Sequence, residues 1–109
     1  MARDRGLEDL IREALPRDLA LRETAMFGGI AWLLNGHLVL GSRSEGMLVR
    51  LGKGRDAWAL ALPGVEPMVM RGRAMDGWVR AGPAAYGEDA VRTRLIEAAL
   101  AFASGLGPK

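Results

Sequence analysis

Cysteine is absent from this chain of 109 residues. Disulfides, thiolate zinc sites and thiol nucleophiles are therefore excluded, and nothing indicates an oxidising compartment. The N-terminus lacks the apolar stretch of a signal peptide, and no run approaches the roughly 20 apolar residues of a membrane span. We therefore expect a cytoplasmic protein with no membrane partner.

The chain also lacks a large excess of either charge. Fifteen basic residues face thirteen acidic ones, for a net charge of +2. The high pI of about 9.7 reflects thirteen arginines against two lysines, because arginine does not deprotonate in practice. Without a basic stripe along the sequence, nucleic-acid binding is an alternative that the composition does not favour.

Motifs that carry chemistry are missing as well. No Walker loop, Gly-x-Gly-x-x-Gly, His-Glu-x-x-His or Gly-x-Ser-x-Gly pattern occurs. The single histidine, His37, follows a predicted hairpin turn, so we interpret it as a turn-flanking polar residue. We predict no catalytic residue, metal site or cofactor, and hence a protein that is not an enzyme, with an unfamiliar active site as the weakest alternative.

The hydrophobic pattern indicates one α+β domain over residues 1–109. Half of the residues are hydrophobic, and this length is typical of a single domain. An apolar stripe from Leu7 to Leu15 predicts a first helix, and Asn35-Gly36 between two apolar runs predicts a hairpin. The expected order is α-β-β-β-α-β-β-α, with helices over 7–15, 56–62 and 88–103 and strands over 26–34, 37–42, 47–51, 68–70 and 78–81. Tight turns between strands predict an antiparallel sheet with helices packed on it.

Core packing explains the tryptophans and methionines of this chain, but it does not explain certain glycines and arginines. The three tryptophans and six methionines are interpreted mostly as core filling. Glycines inside a strand, as at Gly28-Gly29, predict a bulge or a close backbone approach. Arg43, Arg50, Arg71 and Arg73 could form a patch that binds phosphate or carboxylate. The favoured alternative is that they pair with Glu66, Asp76 or Glu45, or are solvated.

Two short blocks resemble the N-terminal domain of the TfoX/Sxy family, named for bacterial competence regulators. The first is Met26-Phe27-Gly28-Gly29 with Arg22 shortly before it, and the second is the segment from Gly72-Arg73 through Trp78-Val79. The resemblance covers roughly residues 7–102. Full-length regulators of that family carry a second helical domain that this chain lacks, so we expect a stand-alone short member.

The resemblance implies a secretion-chaperone-like fold, a fold class that often dimerises. It further implies a non-enzymatic interaction or regulatory domain, such as a transcription co-regulator that acts through a protein partner. The alternative from the residues is direct binding of nucleic acid or an anionic ligand by an arginine patch. The predicted binding residues are Arg22, Met26, Phe27, Gly28, Gly29, Arg43, Arg50, Arg71, Gly72 and Arg73.

Overall fold

The fold is α+β, as predicted. A computed structural model of the protein describes residues 4–17, 19–26 and 28–107. Its elements are α1 (Arg5–Ala14), β1 (Leu21–Met26), β2 (Gly29–Leu34), β3 (His37–Arg43), β4 (Gly46–Arg50), α2 (Ala57–Leu60), β5 (Val65–Met70), β6 (Arg73–Ala81), α3 (Pro83–Tyr86) and α4 (Asp89–Ser104). The order differs from the predicted one by an added strand, β1, and an added short helix, α3.

The six strands form one antiparallel sheet in the order β1-β2-β3-β4-β6-β5. The predicted hairpin at Asn35-Gly36 is confirmed, since Leu34 pairs with His37 across it. Asn35 and Gly36 have φ values of 52° and 85°. Positive φ at both central residues is what a two-residue type I′ turn requires.

The predicted strand over 26–34 was wrong, because this stretch is divided between β1 and β2. The two strands form a hairpin in which Met26 pairs with Gly29, and Gly28 lies in the connection with a φ of 77°. An apolar run cannot reveal β1, since every residue of this edge strand is half-buried or exposed and three consecutive ones, Arg22, Glu23 and Thr24, are polar. The close backbone approach predicted here is confirmed at Gly29, where a Cβ would overlap the carbonyl oxygen of Ser42.

The last two strands are longer than the predicted strands over 68–70 and 78–81. The expected loop between them is reduced to Arg71-Gly72, with φ values of 55° and 76°, and Met70 pairs with Arg73 across it. Glycine, arginine and aspartate in this stretch indicate a loop by residue type. The backbone pairing with β5 holds them in a strand instead, because tertiary context overrides weak strand propensity.

Helices α1 and α4 cover one face of the sheet and form the core with it. Leu7 and Ile11, from the predicted stripe of α1, are 1% and 0% exposed, and Leu95 of α4 is 0% exposed. They belong to one cluster with Trp32 and Val49 of the sheet. The core-filling interpretation is therefore confirmed for Trp32.

The opposite face of the sheet, here called the pocket face, is defined by a row of paired residues. Antiparallel partners share a face, and neighbouring residues along a strand point to opposite faces. The row crosses all six strands through Thr24, Ala31, Gly41, Leu48, Arg80 and Glu66. Ala31 and Leu48 are 4% and 8% exposed, although they lie outside the core cluster that the helices form.

The sheet curls so that its two edges approach one another over the pocket face. β1 and β5 are the edge strands, yet Met26 of β1 and Met68 and Met70 of β5 line the same cavity. This curl positions the candidate site. Among the helices of the described residues, none has the length and apolar character needed to span a membrane.

Candidate functional site

An apolar cavity of about 170 Å³ opens on the pocket face. We call it the methionine pocket. Its lining consists of Met26, Ile30, Ala31, Leu38, Leu40, Gly41, Arg43, Leu48, Met68, Met70, Met75 and Trp78. All of these residues except Arg43 are apolar, so the pocket suits an apolar ligand group rather than a polar one.

Small residues form the floor of the methionine pocket. Ala31 pairs with Gly41, and Gly41 pairs with Leu48 on the next strand. Larger side chains at positions 31 and 41 would occupy the space directly above the sheet. A Cβ added at Gly41 would lie 3.5 Å from Leu48 Cδ1, an ordinary van der Waals contact, so close packing does not demand glycine there. The space above the floor therefore exists because Ala31 and Gly41 have small side chains, and close packing of the backbone does not require those residues.

Methionines form much of the wall of the pocket. Met26 comes from the β1–β2 hairpin, and Met68, Met70 and Met75 come from β5 and β6. The sequence interpretation as mostly core filling is confirmed for Met47 and Met68, which are 0% and 7% exposed, and was wrong for Met26, Met70 and Met75, which are half-buried or exposed. The signal that could have separated the pocket methionines from Met47 is the alternate spacing of Met68 and Met70, which places both on one face of a strand.

Unbranched methionine side chains suit a surface that adapts to its ligand. The thioether is polarizable and the side chain has three rotatable bonds, so it fills irregular space and contacts aromatic rings favourably. Met68 is 7% exposed, whereas Met75 is 36% exposed. The wall therefore extends from a buried part to an accessible rim.

Among the described residues, Arg43 is the one charged residue in the lining. Its Nη2 lies 3.3 Å from Oε2 of Glu45, and the side chain is 31% exposed. Its Nε is buried and has no hydrogen-bond partner within the described part of the chain. Because a guanidinium has five N–H donors and this side chain is partly exposed, one ion pair leaves donors for a further acceptor.

The predicted arginine patch is only partly assembled. Arg50 is occupied elsewhere: its Nη1 donates to the carbonyl oxygen of Leu38 at 3.3 Å, and its guanidinium lies 5.4 Å from the centre of the Phe102 ring. Arg43 pairs with Glu45, as the favoured alternative expected. Arg71 and Arg73 are exposed on the β5–β6 turn.

Acidic neighbours do not neutralise the arginines of that turn. Glu66, one of the acids considered as their partner, forms an ion pair with Arg80 instead. Within residues 4–17, 19–26 and 28–107, Arg71 and Arg73 form no ion pair. These two cations are therefore available at the surface.

The two sequence blocks singled out for binding both lie at hairpin connections that border the methionine pocket. Gly28 and Gly29 come two and three residues after Met26, and Gly72 and Arg73 come two and three residues after Met70. Arg22 is exposed on β1. Phe27 lies outside the described residues. The glycines thus form the turns that bring the methionines to the pocket, and they need not contact a ligand themselves.

Ionisable groups away from the pocket form hydrogen bonds and ion pairs that connect elements of the fold. Arg12 of α1 donates from Nε to Glu23 at 2.8 Å, and this hydrogen bond raises the pKa of Arg12. Trp32 Nε1 donates to the same carboxylate at 3.1 Å. Glu8 of α1 is 1% exposed and lies 3.7 Å from Arg12 Nη2. Burial and the nearby Asp4 carboxylate raise the pKa of Tyr86.

His37 lies beside the hairpin turn, with Nε2 2.6 Å from the carbonyl oxygen of Gly107. No group of three or more histidines or acids that could hold a metal ion occurs among the described residues. Comparison with protein-family models, with curated proteins and with solved structures finds no match.

Proposed function

We propose that this chain is a non-enzymatic interaction domain that binds a protein partner by taking one apolar side chain of that partner into the methionine pocket. The observation that carries the proposal is an accessible, almost wholly apolar cavity in a small domain. Concave apolar sites with few polar groups are the usual form of a binding site. Interfaces concentrate their binding energy in such anchors.

The size of the cavity favours a single side chain. A cavity of about 150 Å³ lined by apolar residues accommodates benzene in a well-studied example, and the methionine pocket has about 170 Å³. A phenylalanine or leucine side chain therefore fits. Methionine-rich surfaces are common where a protein binds partners by adaptive packing.

The family resemblance supports the same proposal. The two sequence blocks that resemble that family, in the same order as in its N-terminal domain, include Met26 and Gly72-Arg73, which border the pocket. We propose membership of this family, with a secretion-chaperone-like fold and a role as a transcription co-regulator through a protein partner. The expected homodimer stays a prediction, which sedimentation equilibrium of the purified chain tests.

Direct nucleic-acid binding by the arginine patch has less support. Glu45 offsets the charge of Arg43 and Arg50 is held by the Leu38 carbonyl oxygen and the Phe102 ring, which leaves Arg71 and Arg73 as the cations of the predicted group whose charge no ion pair offsets among the described residues. Two cations supply little of the phosphate neutralisation that drives nucleic-acid binding.

A pull-down with paired baits tests the proposal. Ala31→Leu fills the pocket from its floor, and Ala101→Leu makes the same change at an exposed position of α4. We expect a protein from the native host's lysate to bind the wild type and Ala101→Leu, but not Ala31→Leu, with or without nuclease. Met75→Asn serves as a second pocket variant, since Met75 is 36% exposed and its replacement should not disturb folding.

Two results would contradict the proposal. A partner that binds all baits equally does not use the methionine pocket. A partner that is lost after nuclease treatment points to nucleic acid and to the arginine alternative.

A further inference from the structure

Cations border the methionine pocket on two separate elements. Arg43 of β3 is part of its lining. Arg73 pairs with Met70, and because antiparallel partners share a face, its side chain lies on the pocket face beside a pocket methionine. Arg71 occupies the turn between them. A shallow groove formed by residues 70–73 and Met75 adjoins the pocket through its two shared methionines.

Acidic groups offset only part of this positive charge. Glu45 pairs with Arg43. Glu66 lies on the same face and pairs with Arg80, and Asp76 is exposed in β6. The rim thus carries the guanidinium groups of Arg43, Arg71 and Arg73, of which Arg43 pairs with Glu45, while the cavity beside them is apolar.

We infer that the partner segment is acidic, with one apolar anchor residue flanked by carboxylates. The anchor occupies the methionine pocket, and the flanking carboxylates contact Arg43, Arg71 and Arg73. Arginine binds carboxylates in a bidentate geometry that also fixes their direction. The cations lie on β3 and on the β5–β6 turn, so a segment with several carboxylates engages more of them than one small carboxylate can. This inference rests on the proposed function.

Matched pentapeptides test the inference on the purified chain. The first is acetyl-Glu-Asp-Phe-Asp-Glu-amide. The second replaces the acids by lysine, and the third replaces phenylalanine by alanine. The small molecule 3-phenylpropionate represents a free carboxylate with the same ring. Affinities are measured by NMR titration at low salt. We expect the acidic phenylalanine peptide to bind at least about tenfold more tightly than the other three.

Charge removal on the protein gives a second measurement. Arg73→Ala should weaken the acidic phenylalanine peptide roughly two- to fivefold, the effect of one partly exposed ion pair. Arg55→Ala removes an exposed arginine from the loop before α2 and should leave the affinity unchanged. Raised salt should weaken binding to the wild type more than to Arg73→Ala.

The outcomes separate this inference from the proposed function. Equal binding of the lysine peptide contradicts the acidic partner and leaves the pocket in place. Equal binding of the alanine peptide shows that the pocket takes no anchor and contradicts the proposed function. If 3-phenylpropionate binds as tightly as the peptide, the occupant is a small carboxylate and the inference is wrong. Absence of binding by the acidic phenylalanine peptide at millimolar concentration also overturns it.

Discussion

Ala31→Leu should stabilise this protein while it blocks the methionine pocket. Ala31 lies on the pocket floor and is 4% exposed. Most substitutions that enlarge a buried residue destabilise a protein, because a close-packed interior has no space for added atoms. Here the added atoms enter a cavity of about 170 Å³. The sign of the stability change therefore tests whether that space exists.

The magnitude follows from the number of carbons added. Leucine has three more carbons than alanine, and each buried carbon contributes about 0.8 kcal/mol. The upper limit is then about 2.4 kcal/mol. Because the pocket is open to solvent, part of the new side chain stays wet. We expect a gain of about 1–2 kcal/mol in the free energy of unfolding, within the usual range for cavity filling.

Urea denaturation measures this gain directly, with Ala101→Leu as the control for the same change at an exposed site. The control should differ from the wild type by less than about 0.5 kcal/mol, as is usual for surface substitutions. A loss of more than about 1 kcal/mol for Ala31→Leu would refute the reasoning, since it would show that the floor of the pocket is already filled.

Two further predictions concern the framework around the pocket. Gly29→Ala should lower the free energy of unfolding by about 1–3 kcal/mol, because the added Cβ meets the carbonyl oxygen of Ser42. Gly41→Ala, where an added Cβ makes only ordinary contacts, should be nearly neutral. Equal effects of the two substitutions in urea denaturation would contradict the close approach at Gly29. Tyr86 donates to Asp4 at 3.2 Å and has a raised pKa, so the folded state binds the phenolic proton more tightly than the unfolded state. The contribution of this proton to the free energy of unfolding is complete below about pH 10 and is lost as the pH rises above it. The free energy of unfolding should therefore fall more steeply between pH 9 and 11 in the wild type than in Tyr86→Phe. Parallel curves for the two proteins would contradict the role of the Tyr86–Asp4 hydrogen bond.

Local sequence signals predicted the parts of the fold that local physics determines. The stripe of α1 and the turn at Asn35-Gly36 are confirmed. Both depend only on residues that are close in sequence: the helix on the spacing of apolar residues, and the turn on two residues that tolerate positive φ. β1 was missed because an edge strand needs no apolar run. Its pairing with β2 depends on the turn at Gly28, which sequence alone does not distinguish from a glycine within one strand.

The methionine pocket could not be predicted, because it depends on the curl of the whole sheet. Met26 and Met70 are far apart in sequence and lie on opposite edge strands. Only the curved sheet brings them to one cavity. Residue type alone favoured core filling for both, since methionine is common in cores. The arginines are predictable to the same extent. The ion pair of Arg43 with Glu45 joins residues that are close in sequence, whereas the position of Arg73 beside Met70 depends on the register of β5 and β6.

The most direct test of the central claim is a titration of the chain, labelled with ¹³C at its methionine methyl groups, with the acidic phenylalanine pentapeptide. The account predicts shifts for the methyl groups of Met26, Met68, Met70 and Met75. Met47 should not respond, since it is fully buried in the core on the other face of the sheet. Shifts at the four pocket methyls that Ala31→Leu abolishes would establish the pocket as the binding site. Unchanged pocket methyls at saturating peptide, or an equal response at Met47, would contradict the account.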